Sequence, residues 1–126
     1  MNENKIRILI SDDKEYNRTS LQEILGEEYQ LLESGDGLEC FNILKQRGNE
    51  IALVISDLIM PGLSGIELLR RMQADPEISH IPVIIASSIH QQALVNKAMA
   101  LGCREYISKP YNPHALRKSI LAAISE

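Results

Sequence analysis

Apolar residues fall along this chain in two alternating rhythms. Short unbroken runs (Ile8-Leu9-Ile10, Leu53-Val54-Ile55, Val83-Ile84-Ile85-Ala86) are separated by longer stretches in which apolar positions recur every three or four residues. Runs of this kind read as strands buried on both faces of a parallel sheet, and the spaced stretches read as amphipathic helices. Strands are predicted at Lys5 to Ser11, Tyr29 to Glu33, Ile51 to Ser56, Ile81 to Ser87 and Glu105 to Ser108. The first helix is expected over Tyr16 to Leu25, with Leu21, Ile24 and Leu25 inward and a stop near Gly26. Leu38, Cys40, Phe41, Ile43 and Leu44 supply the stripe of the second helix, and Ile66, Leu68, Leu69 and Met72 that of the third, which ends before Asp75-Pro76. Leu94, Val95, Ala98, Met99 and Leu101 line the fourth, closed by Gly102. Asn112 can cap a fifth with Pro113 at its first position, its inward residues being Leu116, Ile120, Leu121 and Ile124.

Five strand–helix units with right-handed crossovers give a doubly wound α/β fold, a five-stranded parallel sheet of flavodoxin-like (βα)5 type. The strand order 2-1-3-4-5 fits best, because Ile51 to Ser56 is the most continuously apolar strand and the second and fifth look like edges. At 126 residues, with no linker or low-complexity segment, residues 1–126 make one domain.

Composition removes several classes of function. A net charge of −4 gives no electrostatic footprint for nucleic acid. No apolar run approaches the ~20 residues that span a bilayer. Met1-Asn2-Glu3-Asn4 does not resemble a signal peptide, so a cytoplasmic protein is expected. Cys40 and Cys103 have no metal-binding spacing and read as two reduced, buried thiols.

The chemistry lies where the strands end. In doubly wound sheets ligands sit outside the carboxyl ends of the strands. There the chain carries Asp12-Asp13, Asp57, Ser87 and Lys109-Pro110. One aspartate alone could simply cap the first helix. An adjacent pair beside Asp57 is a different matter, since three close carboxylates repel unless a cation joins them. Hard oxygen donors in a small wet cleft suit Mg2+. Asp13 and Asp57 are expected to bind it directly, Asp12 through water, and the Ile59 backbone carbonyl is a further candidate ligand. Asp57 can also act as a nucleophile towards phosphorus, with the Lys109 ammonium and the Ser87 hydroxyl meeting the phosphoryl oxygens.

These residues, in this order, resemble the receiver domain of bacterial two-component response regulators. The resemblance rests on Asp12-Asp13, the stretch Asp57 to Gly65, Ser87, Tyr106 and Lys109-Pro110, and it covers essentially the whole chain. It implies that Asp57 is the phosphoacceptor and that Asp12 and Asp13 hold the metal, Mg2+ with Mn2+ as an alternative. It implies that Ser87 and Tyr106 are coupled switch residues, that Lys109 binds the phosphoryl group, and that the Lys109-Pro110 bond is cis. The implied partners are a histidine kinase or histidine phosphotransfer protein and an output domain or downstream protein. Such a domain is a regulatory phosphoacceptor that assists only its own phosphoryl transfer and dephosphorylation. Phosphorylation would re-shape the face made by the fourth helix, fifth strand and fifth helix. A dimer through that face could use Lys97, Glu105 and Arg117. Ile59 and Ile89 are expected to restrict attacking water, at positions that vary in this family. The chain reads either as a free-standing regulator or as the receiver of a longer one, since Ser125-Glu126 falls where a linker would begin.

Two rivals fit less well. A haloacid-dehalogenase-like phosphatase wants a second acid two residues after the nucleophile, where this chain has Ile59. A flavodoxin-like electron carrier would have its flavin phosphate repelled by Asp12 and Asp13.

Overall fold

The structure, a computed structural model, describes residues 5–125. Met1 to Asn4 and Glu126, on which the readings of the N-terminus and of the chain's end partly rest, lie outside the described residues. Strands β1 (Arg7–Ser11), β2 (Gln30–Ser34), β3 (Leu53–Asp57), β4 (Val83–Ser87) and β5 (Glu105–Ser108) alternate with helices α1 (Glu15–Leu25), α2 (Gly37–Arg47), α3 (Gly65–Gln73), α4 (Gln92–Ala100) and α5 (Pro113–Ile124). All strand pairings are parallel, in the order β2-β1-β3-β4-β5, with β3 at the centre as its sequence predicts.

Side chains on successive strand residues point to opposite faces, and both faces are covered here. Leu9, Val54, Val83 and Ile85 belong to the core that includes Leu68, Leu69 and Met72 of α3. Ile8, Ile10, Leu53, Ile55, Ile84 and Ala86 pack with Leu21, Leu25, Leu116 and Ile120 of α1 and α5. Register then aligns the strand ends: Ser11 pairs with Ser34 and Ser56, and Ser87 with Ser108. The residues just past them therefore share one rim.

Three helices have a side-chain cap, one of them at the predicted Asn112. The side chains of Asp36, Ser64 and Asn112 accept from the backbone N–H three residues on. Helices α1 and α4 have no side-chain cap. Gly102, at φ +95°, closes α4 in the left-handed region that favours glycine.

Several apolar positions are not where periodicity put them. Leu38, Met99 and Leu121 are 45%, 47% and 55% exposed. In α5 the buried residues are Leu116, Ser119, Ile120 and Ala123, a single stripe at i, i+3, i+4 and i+7. Leu121, one step round from Ile120, faces away from it. Strand β1 begins at Arg7, two residues later than predicted from Lys5, and β2 at Gln30 with Tyr29 just before it.

Candidate functional site

The β1 end is fixed first. The Asp12 N–H donates to the Ser34 carbonyl at 3.1 Å. Arg18 donates to the Asp12 carbonyl and pairs with Glu33, Nε to Oε1 at 2.9 Å. The Asp12 side chain, 2% exposed, accepts three hydrogen bonds: Oδ1 from the Lys14 N–H at 2.9 Å and Asn17 Nδ2 at 3.3 Å, and Oδ2 from Lys109 Nζ at 2.6 Å. Neither Asp12 nor Asp13 caps α1, whose N-cap is Lys14.

At the β3 end, Asp57 Oδ1 accepts from the Leu58 N–H at 2.7 Å and Oδ2 lies 3.2 Å from Lys109 Nζ. Gly65 brings the start of α3 against this turn, its N–H donating to the Leu58 carbonyl at 2.7 Å. A Cβ at Gly65 would stand 2.5 Å from the Asp57 carbonyl oxygen, so only glycine allows that approach. Burial pushes the Asp57 carboxyl above its usual range; the Lys109 ammonium opposes the rise and the nearby Asp12 adds to it.

Asp13 completes the group, with Lys14 Nζ 3.4 Å from its Oδ2. Carboxylate oxygens of Asp12, Asp13 and Asp57 all lie within 4.8 Å of one another. That spacing and the hard, anionic donor set fit a divalent cation. Beside them is a cavity of about 300 Å3 lined by Lys14, Tyr16, Asn17, Asp57, Ser88, Lys109 and Pro110. Lys109, whose side chain is 12% exposed, thus bridges two carboxylates, and its own N–H donates to the Ser87 carbonyl at 3.1 Å. The Lys109-Pro110 bond is cis.

Ser87 and Tyr106 meet at one residue rather than at the carboxylates. The Ser87 hydroxyl accepts from the Ile89 N–H at 3.0 Å, while the Tyr106 hydroxyl donates to the Ile89 carbonyl. His90 packs edge-on against the Tyr106 ring, centroids 5.5 Å apart. Ile89 is therefore a joint, a role its apolar side chain hid in the sequence. Ile59 is 61% exposed and Ile89 is partly buried against the core.

Sequence reasoning also missed Asn17, Arg18 and Tyr111. Burial raises the Tyr111 phenol well above its ordinary pKa, and the charges of Asp12 and Asp57 raise it further. Its place directly after Lys109-Pro110 was the one available signal. Beneath the site, the Ser11 hydroxyl donates to Met60 Sδ at 3.0 Å. The Cys40 thiol, fully buried, is pushed up to about 12, chiefly by burial, and the Cys103 thiol is raised by the same cause. Both are therefore poor nucleophiles. Among the described residues no helix is long and apolar enough to cross a membrane.

The model of the response regulator receiver domain family matches residues 8–121. Chemotaxis protein CheY of Halobacterium salinarum is 33% identical over 121 residues, 95% of this chain and 94% of that protein. Histidine kinase P4 of Formosa agariphila is 34% identical over 116 residues, 92% of this chain but only 8% of that protein. The crystal structure of a response regulator receiver domain protein from Clostridium thermocellum superposes with a TM-score of 0.87 at 29% identity, covering 95% of this chain and 94% of that one.

Proposed function

The chain belongs to the response regulator receiver domain family, regulatory domains that act as phosphorylation-activated signalling switches, and on that premise we propose that Asp57 is its phosphoacceptor. The observation that carries this is the triad of carboxylates within 4.8 Å with one lysine bridging Asp12 and Asp57.

Receiver domains interact with histidine kinases and downstream targets, and the donor read here is the phosphohistidine of a histidine kinase or phosphotransfer protein. An Asp57 carboxylate oxygen forms a bond to phosphorus as the phosphorus–nitrogen bond of the donor breaks, and the imidazole leaves with that electron pair. Asp13 and Asp57, the Ile59 carbonyl and, through water, Asp12 would hold Mg2+ or Mn2+. Bound there, the metal supplies charge neutralisation at the phosphoryl oxygens. Lys109 gives up Asp57 Oδ2 and pairs with a phosphoryl oxygen, a compact charge needing only a short displacement.

The Ser87 hydroxyl turns from the Ile89 N–H towards the new phosphoryl group. Because the Tyr106 hydroxyl donates to the carbonyl of the same residue, Ile89, the β4–α4 loop and the tyrosine move together. This population shift re-shapes the α4-β5-α5 face for an output domain or partner protein. Exposed Met99 of α4 supports a contact surface there, open to a dimer. The Arg117 guanidinium donates to Glu28 Oε1 at 2.9 Å and to the Ile24 carbonyl, contacts that a dimer using it would exchange. A kinase donor implies a cytoplasmic setting. The domain assists its own transfer and hydrolysis and nothing more.

Incubation with Mg2+ and acetyl phosphate followed by intact mass measurement tests the reading. One added phosphoryl group is expected in the wild type, absent from Asp57→Ala and from a metal-free control. An adduct that persists in Asp57→Ala contradicts it.

A further inference from the structure

Lys14 breaks a local rule. It occupies the N-cap of α1 at φ −99° and ψ 116° with no side-chain capping bond, where Ser, Thr, Asp or Asn is favoured and the helix dipole repels a cation. Residues that break a local rule without a local gain are expected at functional positions. Its backbone is firmly placed: the N–H donates to Asp12 Oδ1 at 2.9 Å, and the carbonyl accepts from the N–H groups of Asn17 and Arg18. From that fixed point the ammonium reaches Asp13 Oδ2 at 3.4 Å and lines the same cavity as Asp57 and Lys109.

We propose that Lys14 is a tethered competitor of the divalent cation, occupying Asp13 in the metal-free protein and setting how much metal the switch requires. The inference rests on the reading of Asp12, Asp13 and Asp57 as the metal site. With Lys109 on Asp12 and Asp57, and Lys14 on Asp13, every carboxylate of the cluster already has an ammonium partner. A divalent ion must displace Lys14 from Asp13 and then tolerate its charge nearby. Lys109 has a further task at the phosphoryl group, whereas Lys14 has none in the proposed transfer, so its cost to metal binding is the effect it leaves. The Lys14 side chain is 55% exposed, which keeps that effect modest and salt-dependent.

Calorimetric titration of Mg2+ into wild type, Lys14→Met, Lys14→Gln, Lys14→Arg and Asp13→Asn, at low and high ionic strength, decides the matter. Lys14→Met and Lys14→Gln are expected to bind Mg2+ about three- to tenfold more tightly, the scale of one partly screened charge. Lys14→Arg should stay close to wild type, and the gap should shrink in high salt. Unchanged or weaker binding by both neutral variants overturns the inference. A wild type that takes up no Mg2+, or Asp13→Asn that binds as well as wild type, overturns the metal-site reading instead.

Discussion

Helices α3 and α4 are neighbours of equal length, nine residues each, yet they are held in opposite ways. Helix α3 is capped by Ser64 and buries Gly65, Ile66, Leu68, Leu69 and Met72. Helix α4 has no side-chain cap and buries only Ala98, leaving Met99 47% exposed. The first also backs directly onto Asp57 through Gly65, whereas the second is linked to the site through Ser87, Ile89 and Tyr106. A switch needs one wall of its site to stay put and another to respond. Elements that move are drawn from the weakly held end of a structure, and α4 is such an element.

The largest test of that contrast is a pair of truncations. Leu68→Ala, at a fully buried α3 position, is expected to cost about 2–5 kcal/mol in urea unfolding. Met99→Ala in α4 should stay within about 0.5 kcal/mol. Equal losses would show that α4 is packed as tightly as α3.

Lys109→Met comes next, because it strips the cation from a carboxylate that is 2% exposed. A loss of about 1–3 kcal/mol is expected at neutral pH without metal, much of it recovered on acidification as a carboxyl protonates. A loss that is the same at every pH would mean that packing of the lysine stem, not charge, holds the two strand ends.

Asp57→Asn should act in the opposite direction. Its folded-state pKa is raised, so folding binds protons here and ionised Asp57 opposes folding above that pKa. Neutralising it is expected to raise the melting temperature by a few degrees at pH 7. The gain should fade as pH falls from the raised pKa through the ordinary carboxylate range, where wild-type Asp57 protonates as well. Smallest is Tyr106→Phe, which removes one hydroxyl from the Ile89 carbonyl and should cost about 0.5–1.5 kcal/mol. Its sharper readout is amide exchange in α4, expected to rise there and not in α3.

The same pair of helices shows what the sequence could and could not reveal. For α3, stripe and stop were legible, because Ile66, Leu68, Leu69 and Met72 repeat at helical spacing before Asp75-Pro76, while the Ser64 cap emerged only in the structure. For α4 the stripe was equally plain, but periodicity records which residues could be buried together, not whether a partner surface covers them. Hence Met99 was expected inward and is exposed. The strand order and the shared rim followed from the apolar runs, since register carries each run's last residue to the same level. Their places just past the predicted strand ends, with their side-chain types, brought Asp12, Asp13, Asp57 and Lys109 together. The Ile89 joint stayed hidden because its backbone makes the contacts, and Arg18 because a helix-surface arginine gives no sign of the carbonyl it will reach.

The most direct measurement is amide hydrogen exchange across α3 and α4, with and without acetyl phosphate and Mg2+, in wild type and Asp57→Asn. Protection should change several-fold in residues 88–100 of the wild type, stay constant in α3, and respond in neither helix of Asp57→Asn. A phosphorylated wild type with unaltered exchange in residues 88–100, or the same change in Asp57→Asn, would contradict the account.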